Sequence, residues 1–273
     1  MKRRGLRAAL VLAFAALFSN GGPPAARSQE APPQASDFSK LSLKISVPKG
    51  EVFQSEPIPV TLELSNETGG PVTGHTALDF SLNHVKLFVR QGGGEMSEIK
   101  ALSPSRERVI VRPREIAPGE RHRSRQLLTL KLNEYFPRPG AYEIQAVLHA
   151  AGRKGQVRSN AAAVRVLPPE GPARLAFDFI ERQPSAPYFF SALEVSDDDA
   201  TLRMFEEFEN SFGDTAYADY ASLQLGKFYY FRKEYAKARE KLEKVVGKKG
   251  FAFGEEAAGY LSKVKAGAEN SRR

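Results

Sequence analysis

The apolar residues of this chain change period once, and the change falls at LPPEGP, Leu167–Pro172. Before it they alternate. Leu41, Leu43, Ile45 and Val47 share one face with Ser42, Lys44 and Ser46 between them, and Ile58, Val60, Leu62 and Leu64 repeat the pattern. Period two is the mark of strands buried on one side. After it, Leu202, Phe205, Phe208 and Phe212 recur at three and four residues, with Glu206, Glu207 and Glu209 between them, which is one apolar stripe on an acidic helix. A segment regular in one of these periods cannot present a buried face in the other geometry. Two consecutive regions of different class are therefore expected, joined at a proline- and glycine-rich boundary.

In the first region, further strands are predicted at Val85–Val89, Val109–Val111, Leu128–Leu132, Tyr142–Leu148 and Ala163–Leu167. They are separated by turn material: GGG at 92–94, APGE at 117–120 and PRPG at 137–140. About seven short strands in about 130 residues read as a two-sheet antiparallel sandwich. In the second region the spacing predicts a helix from Asp199, capped by Ser196 or Asp197 and stopped at Gly213–Asp214. Further helices are predicted over Thr215–Phe231, Glu234–Val246 and Gly254–Ala266. Residues 173–195 read as one or two shorter helical pieces broken by Pro184 and Pro187. The expected fold class is α+β multidomain: an all-β antiparallel sandwich over 38–168, then all-α helical hairpins over 173–267 and a disordered tail at 268–273.

Two resemblances sharpen these expectations. NETGGPV (66–72), IAPGE (116–120), FPRPGAYEI (136–144) and VRSNAAAVRV (157–166) stand in the order seen in the immunoglobulin-like modules of exported bacterial proteins. Tyr142 then resembles the corner tyrosine that bonds back to nearby backbone, its other reading being an ordinary aromatic strand residue. Leu225, Gly226, Tyr229, Tyr235, Ala238 and Leu242 have the order of small and large residues in a tetratricopeptide repeat. FENSFGDTAYADYA (208–221) looks like the junction common in periplasmic proteins of that family. The pattern departs at Ser222, where the family favours tryptophan, at Val245, where it favours alanine, and at Gly250, near the usual proline. Small residues at 226 and 238 let two helices touch, which makes the neighbouring rings core and leaves Lys227, Arg232, Lys233, Lys237, Arg239 and Lys241 to face water or a neighbour. A platform for stacked bases needs exposed rings instead. So short an array should lean on the sandwich or on a partner.

The first residues bound the setting. Lys2, Arg3, Arg4 and Arg7 precede the apolar run Ala8–Phe18, and Ala26-Arg27-Ser28 offers the small, any, small pattern of signal-peptide cleavage. A span needs roughly 20 apolar residues, so the run reads as a signal peptide over 1–28, with an uncleaved anchor as the other reading, and 29–37 as a flexible linker. Cleavage would remove five basic residues and no acidic ones, taking the net charge from +8 to +3, with 35 basic against 32 acidic residues. That balance argues against a nucleic-acid partner. With no cysteine, disulfides, thiol catalysis and thiolate metal sites are excluded.

No nucleophile–base pair, metal-ligand spacing or phosphate-binding glycine loop appears, so the expectation is a non-enzymatic protein without cofactor or metal. The histidines His75, His84, His122 and His149 read as lone strand or surface residues, and Asp197–Asp199 as a helix start rather than a calcium site. Ser105–Arg125 holds seven arginines and three glutamates. Two readings stay open for it: a charged sheet edge, or an anionic glycan or lipid-headgroup site centred on Arg121, Arg123 and Arg125. What the resemblance implies is an exported, periplasmic or extracellular protein of the bacterial envelope that binds or assembles protein or peptide partners through its helices. The polyanion site is the alternative.

Overall fold

A computed structural model of the chain describes residues 38–80, 84–100, 111–129, 132–150, 155–184, 186–190 and 198–270. The signal-peptide and linker expectations lie outside the described residues, as do Val109 and Ile110 of one predicted strand. In chain order the β-rich part holds β1 (Leu41–Ser46), β2 (Glu51–Phe53), β3 (Ile58–Asn66), β4 (Val72–Gly74), β5 (Val85–Gln91), β6 (Ser97–Ile99), β7 (Arg114–Ile116), β8 (Arg121–Leu128), a short helix α1 (Leu132–Tyr135), β9 (Gly140–His149) and β10 (Gln156–Leu167). The helical part follows as α2 (Gly171–Glu181), α3 (Ala186–Phe189), α4 (Asp199–Phe212), α5 (Ala218–Phe231), α6 (Tyr235–Glu243) and α7 (Gly254–Asn270). No helix among the described residues is long and apolar enough to cross a membrane.

The strands form sheets of order β1-β3-β8, β2-β10-β9-β5-β6 and β4-β7. The alternation does its work here. Leu41, Leu43 and Ile45 of β1, Val60, Leu62 and Leu64 of β3, Val85, Leu87 and Val89 of β5, and Ile144, Ala146 and Leu148 of β9 all point into one shared core. Each such large side chain contributes about 1.5–3 kcal/mol relative to exposure. The Tyr142 hydroxyl donates to the Arg138 carbonyl at 2.6 Å and accepts from the Arg138 N–H at 3.2 Å, a bond back to backbone four residues upstream. GGG makes the β5–β6 turn, with Gly92 and Gly93 at φ of 55° and 81°.

Three expectations are corrected. The strand placed at Leu128–Leu132 is β8, Arg121–Leu128, and Leu132 begins α1. Its inward positions are His122, Ser124 and Gln126, which are half-buried and polar, so no apolar alternation announces it. The sheets are antiparallel except that β2 pairs parallel with β10, Glu51–Phe53 against Arg165–Leu167, and a three-residue strand carries too little pattern to be read. Finally, α7 runs to Asn270, into the expected tail, and its Gly267 lies against the Tyr235 ring, where a Cβ would sit 2.7 Å away.

The helical part has its own core around α5, whose residues from Ala218 to Tyr229 are almost all buried. Asp198 caps α4 through bonds from the Thr201 N–H at 2.7 Å and hydroxyl at 2.8 Å, so the cap is one residue later than the nearer of the two expected.

Candidate partner-binding surface

Gly226 on α5 faces α6. A Cβ placed on it would lie 2.6 Å from Leu242 Cγ and 3.5 Å from the Ala238 carbonyl oxygen, so the two helices approach backbone to side chain with no space between. Ala238 and Leu242 are fully buried and Tyr229 is buried. The Tyr229 ring is core, whereas Tyr235, expected to be core as well, is only half-buried against that core. On the far side α4 is tied in by Glu209, which accepts from Ser222 at 3.1 Å and pairs with Lys241 and Lys244. Burial opposes ionisation of Glu209, but the hydrogen bonds from the two lysines outweigh it and hold its pKa below the usual carboxylate value. Of the six basic residues expected to face outward, Lys227 is instead buried at 1% exposure and pairs with Glu256 of α7 at 2.9 Å. Arg232 pairs with Asp199.

The helical and β-rich parts meet in a seam. Glu56, in the turn before β3 and 4% exposed, accepts from Lys49, from the Phe53 N–H at 2.7 Å and from the Tyr220 hydroxyl at 3.2 Å. The Tyr217 hydroxyl donates to the Gln54 carbonyl at 3.0 Å. Phe53 and Leu127 from the β-rich part pack on the helical core. On the same side Arg125 of β8 donates to the Ala252 carbonyl at 3.1 Å and pairs with Glu255. The helical part thus leans on the β-rich part of the chain.

The arginine-rich strand divides by function in the fold. Arg121 and Arg123 point outward, 68% and 73% exposed, and share Glu63 at 3.7 and 3.3 Å. Arg125 lies on the same face of β8 but its guanidinium is engaged at the seam. A groove of about 590 Å³ opens beside Arg123, lined by Lys44, Ser42, Ser46, Thr61, Glu63 and Asn160. Asn160, at the irregularity in the β9–β10 pairing, donates to the Ile45 carbonyl and accepts from the Ile45 N–H, both at 3.0 Å, so its amide copies a strand partner for β1. Three of the four histidines gather as well. The His75 and His84 ring centroids are 6.2 Å apart, and the buried His75 Nε2–H donates to the His149 carbonyl at 2.7 Å. Burial lowers the His75 pKa. Among the described residues no group of three or more His, Asp or Glu is arranged to hold a metal ion.

Burial also raises the pKa values of Tyr217, Tyr220 and Tyr229, helped by the Glu56 carboxylate for the first two and by Glu206 for the third. The folded protein keeps these protons where unfolded tyrosines lose theirs, near pH 10. Their stabilising contribution is therefore complete below pH 10 and is lost as the pH rises above it. In a phenolate absorbance titration these three should ionise only together with loss of the helical circular-dichroism signal. Full titration while the signal persists would contradict their burial.

Comparison with known proteins agrees with the helical packing. Residues 181–264 match the tetratricopeptide repeat-like domain family. The chain carries a tetratricopeptide repeat-like domain. No curated protein matches the chain. Among solved structures, an alkylpurine DNA glycosylase from Pseudomonas fluorescens bound to DNA aligns with TM-score 0.30 and 11% identity over 47% of this chain and 31% of its own. A sporulation control protein from Bacillus subtilis aligns with TM-score 0.30 and 14% identity over 52% and 55%. A β-glucosidase from Listeria innocua in complex with glucose aligns with TM-score 0.25 and 14% identity over 48% and 17%. The chain thus spans less than two thirds of each of these proteins, and at such scores neither fold family nor activity passes to it.

Proposed function

We propose that this is a non-enzymatic binding or assembly protein of the bacterial cell envelope, exported by its N-terminal signal peptide. Its β-rich part is an immunoglobulin-like sandwich that holds a short tetratricopeptide-like surface in place for a protein or peptide partner. The observation that carries this reading is the repeat-like domain at 181–264, because stacked helical hairpins present an extended surface suited to protein segments. The seam supports it, since a rigid support lowers the ordering cost of binding.

A second reading takes the outward face of β1, β3 and β8 as a site for an anionic glycan or lipid headgroup. The groove beside Arg123 favours it, with Lys44 and hydroxyls from Ser42, Ser46 and Thr61 along its walls. Arg125 counts little toward that site, being committed to Ala252 and Glu255.

One experiment with two arms separates the readings. Photocrosslinking residues placed at exposed positions of α4, α6 and α7 in the full chain, in its native envelope, should capture a discrete protein. Capture of none from any position removes the first reading. Salt-sensitive retention on heparin that disappears in an Arg121→Gln, Arg123→Gln variant would favour the second.

A further inference from the structure

The sharpest surface feature lies where α5 ends. Phe231 is 44% exposed, one of two large apolar side chains so placed among the described residues. Around it stand three half-buried tyrosines, one from each of three helices. Tyr230 meets Phe231 edge-on at 5.3 Å and Tyr260 of α7 at 5.6 Å, while Tyr235 of α6 lies 6.3 Å from Tyr230 and Phe231 6.1 Å from Tyr260. Gly267 presses on Tyr235 from behind. The rings hold one another in place, so binding against them costs little side-chain entropy.

One cation is placed on this shelf, and a second lysine follows Phe231 two residues along the chain. The Lys263 ammonium sits 4.6 Å from the Tyr260 ring centre. Lys233 ends α5 in the left-handed conformation, φ 60°, at the position where glycine is the usual residue. Neither has a carboxylate partner among the described residues, whereas Arg232 and Lys237 are paired with Asp199 and Glu234. A non-glycine residue in that conformation is strained, and such strain is found where a side chain has work to do.

We propose that this shelf is a docking site for an acidic peptide segment of a protein partner that carries an apolar anchor residue. The anchor packs against Phe231 and Tyr260, and its flanking carboxylates meet Lys233 and Lys263. Few rings suffice for a peptide hot spot. A single protruding phenylalanine is too little apolar surface to hold a bilayer. The assignment rests on the protein-binding reading above and names the chemistry of its partner.

The test uses the full chain and a fluorescent synthetic peptide with a central Phe-Leu pair flanked by glutamates. Saturable binding is expected, weakened about tenfold by Phe231→Ala, and weakened by salt and by Lys263→Glu. Lys233→Gly should weaken binding yet raise Tm by about 2–4 °C, a combination that a merely structural lysine would not give. No saturable binding, or equal binding by the Phe231→Ala variant, overturns the proposal, as does Phe231-dependent binding to phosphatidylglycerol vesicles without peptide binding. Envelope photocrosslinks from other helical positions but none from residue 231 would sink this site while leaving the protein-binding reading standing. Absence of protein crosslinks anywhere would sink both.

Discussion

Gly226→Val is expected to destabilise the protein by about 3 kcal/mol, at the upper end of the usual cost of overpacking a core. The atom a Cβ would strike is Leu242 Cγ, 2.6 Å away, with Cδ2 at 2.8 Å. A flexible side-chain end could swing aside, but Leu242 is fully buried and branches at the atom in question. Relief must come from moving α6 away from α5, which opens the contact that Ala238, also fully buried, allows. The check is urea denaturation of the variant beside Leu242→Ala, which alone should cost about 2–5 kcal/mol, and beside the double variant. Because the two side chains compete for one space, the double variant should cost clearly less than the two singles together. Wild-type stability for Gly226→Val would mean that α5 and α6 do not touch, and that the aromatic residues beside them are not core.

The helical packing was legible because it rests on local spacing. Gly226, Ala238 and Leu242 occur at intervals that only a close helix pair needs and meet in the contact they suggested, with Tyr229 buried beside them. The long apolar strands were legible for the same reason. β8 was not, since a strand with His122, Ser124 and Gln126 facing in shows no apolar period, although its place at a sheet edge fits the charged-edge reading of its arginines. Nor were the three-residue strands β2, β4 and β7, which are fixed by partners far along the chain, or β6, a local hairpin partner of β5 too short to show a period.

The surface features were less accessible still. The run of charges along the sequence marks Lys227 as one more outward lysine, yet Glu256, 29 residues on, draws it inside. The opening of the aromatic shelf depends on Tyr260 of α7 meeting Phe231 of α5, a contact no repeat pattern encodes. Glu56 had no signal at all: it stands between Ser55 and Pro57 in a turn, and its meaning comes from Tyr220, 164 residues away.

That carboxylate gives the second large effect. Glu56→Ala should cost about 3 kcal/mol, the lower part of the range for breaking a buried ion pair. The loss removes the acceptor for the buried Tyr220 hydroxyl and for the Phe53 N–H, at about 1–3 kcal/mol for each buried group left without a partner. Lys49 moderates the cost, because at 35% exposure it can turn to water. Glu56→Gln keeps the shape but has a single acceptor oxygen where Phe53 and Tyr220 use two, so it should fall between alanine and wild type. The damage should also be uneven. A short repeat-like array draws stability from what it packs on, so the helical part should lose more than the strands, and calorimetry should resolve two transitions in Glu56→Ala where the wild type gives one. A variant that melts in a single transition within about 0.5 kcal/mol of wild type, the span of an ordinary surface substitution, would mean that the seam is held by the packing of Phe53 and Leu127 alone.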